Sequence, residues 1–164
     1  MSPPAADPLR DPKPLIERVY AYVAYHVGGG AEAEDIVSDV FERAVRYRSS
    51  YDSRRGDPLS WLVGIARRCV NDALRARRNA LPHVDEEPTD ANNLESSTID
   101  RLVLVDAIAS LDTRDRELIA LRYGAGMSTR QMEALLSMRR NAIDVALHRA
   151  RAKLKAHLDA ADQS

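Results

Sequence analysis

The sequence is short of the residues that would make it a secreted, membrane-spanning or metal-centred protein. It holds one cysteine, Cys69, among 164 residues, so neither an internal disulfide nor a cysteine metal cluster is available. Cys69 sits in an apolar-periodic stretch, where a thiol packs as a small hydrophobe, and the chain is expected to be cytoplasmic. Its histidines, His26, His83, His148 and His157, are scattered without metal-ligand spacing. Glycine is scarce, and the one run, Gly28-Gly29-Gly30, lacks the preceding strand and following Lys-Ser/Thr of a phosphate-binding loop. No apolar run approaches the ~20 residues that span a bilayer, and Met1 to Pro14 is rich in proline and alanine without the apolar core of a signal peptide. No membrane insertion, catalytic residue, cofactor or metal is therefore expected, although a Ser-His-Asp arrangement leaves no mark in sequence alone. An excess of one charge is missing too: 24 Lys and Arg face 25 Asp and Glu. Total charge decides nothing about nucleic acid, and the placement of the charges has to.

What is present favours helix. Alanine, leucine, arginine and glutamate are plentiful. Five prolines, Pro3, Pro4, Pro8, Pro12 and Pro14, mark residues 1–14 as a disordered tail. From Leu15, residues Ile16, Val19, Tyr20, Val23 and Val27 recur at helical spacing until the glycine run stops them. A second helix begins near Ala31 to Asp35, with acids at its start and Ile36, Val37, Val40, Phe41, Ala44 and Val45 on its inner side. A polar, aromatic and basic loop over Tyr47 to Pro58 precedes a third helix. Asp57 or Ser60 caps it, and Leu59, Leu62, Ile65, Ala66, Cys69, Val70 and Ala73 form its apolar face. Residues 15–80 read as one lobe. Residues 81–98 carry acids and prolines without periodicity and read as a tether. Residues 99–160 read as a second lobe, starting with a helix that turns Leu102, Val105, Ile108 and Leu111 inward. A helix over Thr113 to Tyr123 follows, halted by Gly124 and Gly126. The fold class is all-α, two small helical domains on a flexible acidic linker.

Ser128 to Ala150 has the dimensions of a helix-turn-helix. Ser128 caps a short helix containing Met132, Leu135 and Leu136. A turn at Ser137 and Met138 leads to a longer helix with an inner stripe of Ile143, Leu147, Ala150, Leu154 and Leu158 and a basic outer face. In that motif the second helix enters the major groove and flanking cations hold phosphates. A helical hairpin with a solvated basic face is the alternative.

Two segments resemble the extracytoplasmic-function group of RNA polymerase sigma factors. The first is Ala33-Glu34-Asp35-Ile36-Val37-Ser38-Asp39-Val40-Phe41-Glu42-Arg43-Ala44, continuing through Trp61 to Arg68 and Asn71 to Arg75, and it is similar to the family's region 2. The second, Leu111 to Leu118 with Leu121-Arg122-Tyr123, Gly126-Met127-Ser128 and Leu147-His148-Arg149-Ala150-Arg151, is similar to region 4. The resemblance implies a factor that binds core RNA polymerase and directs promoter recognition and transcription initiation. It implies that Asp35, Ser38, Asp39 and Glu42 meet polymerase, where complementary charge sets on-rate and register. It also implies that Tyr51, Arg54, Arg55 and Trp61 form a surface that captures an unstacked base of the minus-ten element, with Asn71, Arg75, Arg77 and Arg78 on the same DNA. Trp61 as a core residue, with Tyr51 or Arg54 at the surface instead, remains the alternative. The acidic linker resembles the family's connector through a basic polymerase channel. Implied partners are core RNA polymerase, promoter DNA and, where one exists, an anti-sigma factor.

The recognition helix departs from the family pattern. Asp144 and Ala146 stand where relatives place basic residues, and Leu136-Ser137-Met138 replaces a glycine-containing turn. Either Arg139, Arg140, Asn141, Asp144, His148 and Arg149 read an unusual upstream element, or this lobe binds DNA weakly. An aspartate is repelled by phosphate but accepts from cytosine N4–H. A sigma-like mimic that holds polymerase or an anti-sigma factor without opening promoters is the competing reading, and a stand-alone DNA-binding regulator is a third.

Overall fold

The structure is a computed structural model that describes residues 7–80 and 98–164. Among these, seven helices account for nearly all the order and no strand occurs. The first lobe comprises α1 (Pro12–Val27), α2 (Ala31–Arg46) and α3 (Pro58–Asn79). The second comprises α4 (Thr98–Ser110), α5 (Thr113–Ile119), α6 (Thr129–Leu136) and α7 (Arg140–Asp162). The expected linker falls almost wholly at 81–97, outside the described residues.

Local chemistry sets the helix starts. Asp57 caps α3, accepting from the Ser60 N–H at 2.8 Å, with Pro58 in the first turn, where a missing N–H costs nothing. Asp112 does the same for α5 through Asp115 N–H at 2.8 Å. Ser128 and Gln131 close a reciprocal capping box on α6. Helix α1 begins at Pro12, earlier than the expected Leu15, because prolines fit a first helical turn. The expected tail is also shorter than 1–14: Pro8 is buried and Leu9 packs on the core.

The lobes are not separate bodies. One continuous apolar core runs from Val19 and Val23 of α1 through Val40, Leu62 and Val70 to Leu121, Met132, Ile143 and Ala150. Helix α1 lies in the middle, packed against α2 and α3 on one side and against the end of α5 on the other. That position corrects the expected stripe of α1. Val19 and Val23 are buried, but so are Tyr22 and His26, while Ile16 is exposed; a helix sandwiched between two lobes buries a second face. Helix α4 corrects in the opposite direction. Ala107, Ile108 and Leu111 are buried, yet Leu102 and Val105, expected inside, stand about half exposed at 53% and 45%. This helix packs chiefly on α7, so part of its apolar surface has no cover. Val45 of α2 is likewise exposed. Cys69 is a free, buried thiol whose pKa burial raises.

Beyond Ile119 the chain widens into a π turn over Ala120–Gly124, closed by Ala125 N–H to Ala120 O at 2.9 Å. The expected helix to Tyr123 is thus α-helical only in its first half. Such a turn re-aims the backbone after it. Here it delivers the carbonyls of Ala125 and Gly126 to Arg18 of α1, at 2.7 and 2.8 Å.

Candidate nucleic-acid interface

Helical periodicity turns Ile36, Val37, Val40 and Ala44 of α2 inward and leaves Asp35, Ser38, Asp39 and Glu42 exposed along the outer side. These four form a polar face, with Glu42 also reaching Arg46 one turn on at 3.2 Å. Exposed pairs of this kind contribute little to stability, so the face is open to a partner.

Between α2 and α3 the loop folds back on itself. The Tyr51 hydroxyl donates to Gly56 O at 3.1 Å, and its ring meets Trp61 edge-on at 5.5 Å. Trp61 is half-buried against the core and also lines two surface clefts. Arg54 is held by Asp52 at 3.1 Å, while Arg55 is exposed beside it. Along α3, Asn71, Arg75, Arg77 and Arg78 are all exposed. They do not act as one group. Arg77 is anchored to Glu32 of α2, its Nε 3.0 Å from the carboxylate, and so ties the ends of two helices together.

In the second lobe, α6 and α7 meet at a turn whose pivot, Ser137, has φ 52° and ψ 40°. It is the only non-glycine residue with positive φ among those described. Serine here adopts the left-handed conformation that glycine normally supplies. Arg139, Arg140, Asn141, Asp144, His148 and Arg149 are exposed on the outer side of α7. Arg140 stands 3.9 Å from Glu133. Asp144 lies 3.5 Å from the Thr129 hydroxyl at the start of α6, and Thr129 in turn is 3.4 Å from Arg122. Lower on α7, Lys153 pairs with buried Asp115 at 2.6 Å.

A polar seam between the lobes was not foreseen. Glu117 of α5 accepts from the Tyr22 hydroxyl at 2.9 Å and from Arg67 Nε at 2.9 Å. His26 Nε2 approaches it at the same separation, 2.9 Å, without hydrogen-bond alignment. Burial alone would raise the Glu117 pKa, but the contact and charge of His26, the Tyr22 hydroxyl and the Arg67 charge outweigh it, and the pKa lies below the ordinary carboxylate value. Gly124 completes the seam, since a Cβ there would stand 3.0 Å from the backbone N and Cα of Tyr22. No spacing rule links residues so far apart in the chain; the only one-dimensional trace was an acid within the second matched segment.

Among the described residues no group of side chains is arranged to hold a metal, and no helix is long and apolar enough to cross a membrane. An acidic helix face, an aromatic and basic loop and a helix-turn-helix stand together on one core in a two-lobed helical protein. Residues 14–80 match the family model of sigma-70 region 2, and residues 101–154 match that of sigma-70 region 4. The RNA polymerase sigma factor CarQ of Myxococcus xanthus is 32% identical over 142 residues, covering 84% of this chain and 81% of the relative. The sigma factor BldN of Streptomyces coelicolor is 33% identical over 141 residues, 82% of this chain, and the match spans only 53% of that longer protein. The fold is shared with the sigma factor RpoE of Bartonella quintana, solved in complex with the anti-sigma factor NepR. The TM-score is 0.72 at 20% identity, over 88% of this chain and 92% of the other. The chain belongs to the sigma-70 family of RNA polymerase sigma factors, in its extracytoplasmic-function group.

Proposed function

We propose that this chain is a transcription initiation factor that binds core RNA polymerase and directs it to promoter DNA. The observation that carries the reading is the division of the first lobe into two surfaces: exposed Asp35, Ser38, Asp39 and Glu42 on α2, and the Tyr51–Trp61 pair flanked by Arg54, Arg55 and the exposed side of α3. The acids meet basic groups of polymerase, where complementary charge speeds and registers docking. The aromatic pair, rigid because Tyr51 is fixed at both ends, offers a stacking platform for one unpaired base. Such stacking is worth about 1–3 kcal/mol and offsets the cost of unpairing. Asn71 and the exposed arginines of α3 then hold the strand, and α7 reads an upstream duplex element. The chain's own role is binding and positioning rather than catalysis, and an anti-sigma factor is the class of protein expected to regulate it.

Run-off transcription with core polymerase, this chain and fragments of the host genome tests the proposal. A promoter-specific transcript is expected, and Asp39→Arg with Glu42→Arg is expected to abolish association with core. No association of the native chain with core at any salt concentration overturns it. One observation favours a second reading, a mimic without promoter opening: Asp144 is exposed on the recognition helix, beside the start of α6. That reading predicts core binding without any specific transcript.

A further inference from the structure

The outer side of α7 is not built simply to lie on phosphate. Ile143, Leu147 and Ala150 are buried. At about 3.6 residues per turn, the side opposite them carries Asn141, Val145 and His148 in the first turns. Val145 is 50% exposed there, and neither it nor Asn141 bears a charge. Asp144 borders this strip on the side of α6, and Arg149 borders it on the other, beside the start of α5. A recognition helix sets such a strip against base edges and leaves the backbone to the cations around it.

Asp144 is held from behind. The π turn carries Arg122 to the head of α6, where its Nη1 donates to Met127 O at 3.0 Å and its Nη2 to the Thr129 hydroxyl at 3.4 Å. A guanidinium only donates, so the Thr129 oxygen accepts there and keeps its own proton for Asp144 Oδ1, 3.5 Å away. That bond is long and engages one carboxylate oxygen. Among the described residues Asp144 has no basic partner; Arg140, one turn earlier, stands 3.9 Å from Glu133 instead. An exposed carboxylate thus faces outward with most of its acceptor capacity unused.

The donors in the major groove are cytosine N4–H and adenine N6–H. Guanine O6 and N7 and thymine O4 are acceptors and repel a carboxylate. Adenine sets its N7 acceptor beside the amine, so part of the gain is lost to repulsion, whereas the cytosine edge carries no acceptor. We propose that Asp144 is a specificity-determining residue that reads one cytosine of the upstream duplex element, and that Thr129 is the positioning residue that aims it. The proposal rests on the promoter-binding reading of α7. The carboxylate that weakens a helix lying on phosphate becomes, at a base edge, a source of sequence preference.

Holoenzyme assembled from core polymerase and the full chain first selects fragments of the host genome under heparin challenge, and alignment of those retained gives the upstream element. Each base pair of that element is then replaced by the other three, and competition binding is measured for the native chain and for Asp144→Ala, Asp144→Asn, Thr129→Val and Thr129→Ser. Circular dichroism checks that each exchange leaves the helices in place. At one position the native holoenzyme is expected to prefer cytosine by about tenfold. Asp144→Ala should level the four bases there and leave the other positions unchanged. Asp144→Asn should move the preference to adenine, whose N6 and N7 fit an amide. A residue with a structural or backbone-facing role weakens all sequences alike and creates no new preference. Thr129→Val should lower the cytosine preference about twofold to fivefold, and Thr129→Ser, which keeps the hydroxyl, should retain it.

A cytosine preference that survives Asp144→Ala overturns the proposal while promoter binding stands, as does the lack of any such preference in the native holoenzyme or a loss shared by every sequence. An unchanged preference in Thr129→Val overturns the part given to Thr129. If the native holoenzyme enriches no element at all, the promoter-binding reading falls and this proposal falls with it.

Discussion

Ser137 offers the sharpest test of how this chain folds its helix-turn-helix. The residue sits at φ 52°, ψ 40° between α6 and α7, and a left-handed conformation costs an L-residue roughly 1–2 kcal/mol because Cβ crowds the following carbonyl. Its side chain is exposed, so substitution disturbs no packing. Ser137→Gly removes the steric cost but gives the unfolded chain more freedom, an opposing effect of roughly 0.5–1 kcal/mol. The balance is a stabilisation of about 0.5–1 kcal/mol. For a unit of about 150 residues, 1 kcal/mol moves Tm by about 2–4 °C, so a rise of about 1–4 °C is expected by calorimetry or circular dichroism. Ser137→Val, which adds a β-branch to the same strained backbone, should lower Tm by at least as much. A Tm for Ser137→Gly below that of the native chain, or equal melting of the two variants, would refute the reasoning.

Asp57→Ala should destabilise the chain by about 1 kcal/mol through loss of the α3 cap, and Asp57→Asn, which still caps, should recover most of it; chemical denaturation measures both. Acid should weaken the seam. The Glu117 pKa is held below its ordinary value of 4.5, and that of Asp57 is lowered also, because its hydrogen bonds from Ser60 and Gln131 outweigh burial. Groups with depressed folded pKa values contribute stability above the ordinary carboxylate pKa and lose it as pH falls through the folded value. Stability against chemical denaturant should thus hold above the ordinary carboxylate pKa and decline as pH falls below it; a native chain whose stability does not change across that range would contradict the assignment. Asp144→Arg should tighten duplex binding and steepen its salt dependence by about one unit if this position faces phosphate, whereas an unchanged slope would place it off the DNA.

The helices themselves were legible because their determinants are local. Period, caps and glycine stops act within a few residues, so α2, α3, α6 and α7 follow from reading along the chain, as does the exposure of Asp35, Ser38, Asp39 and Glu42 opposite their apolar stripe. Burial was read less well wherever a helix had more neighbours, or fewer, than one stripe implies. Tyr22 and His26 of α1 are covered by the second lobe, and Leu102 and Val105 of α4 are left bare. The dual position of Trp61 was open for the same reason, since depth depends on what packs alongside.

The amino-acid order by itself determined an all-helical chain in two halves, a capped helix-turn-helix and the acidic and basic faces, because each rests on interactions between near neighbours. Tertiary structure alone decided that the halves share a core and that Glu117 is gripped by Tyr22 and Arg67, partners 95 and 50 residues away. It also decided that Arg18 reaches carbonyls 107 and 108 positions on. Contacts at such separations exist only after the chain has closed on itself, since the entropy of loop closure must be met by many packed groups acting together. No short-range pattern encodes which distant donor a buried carboxylate will find.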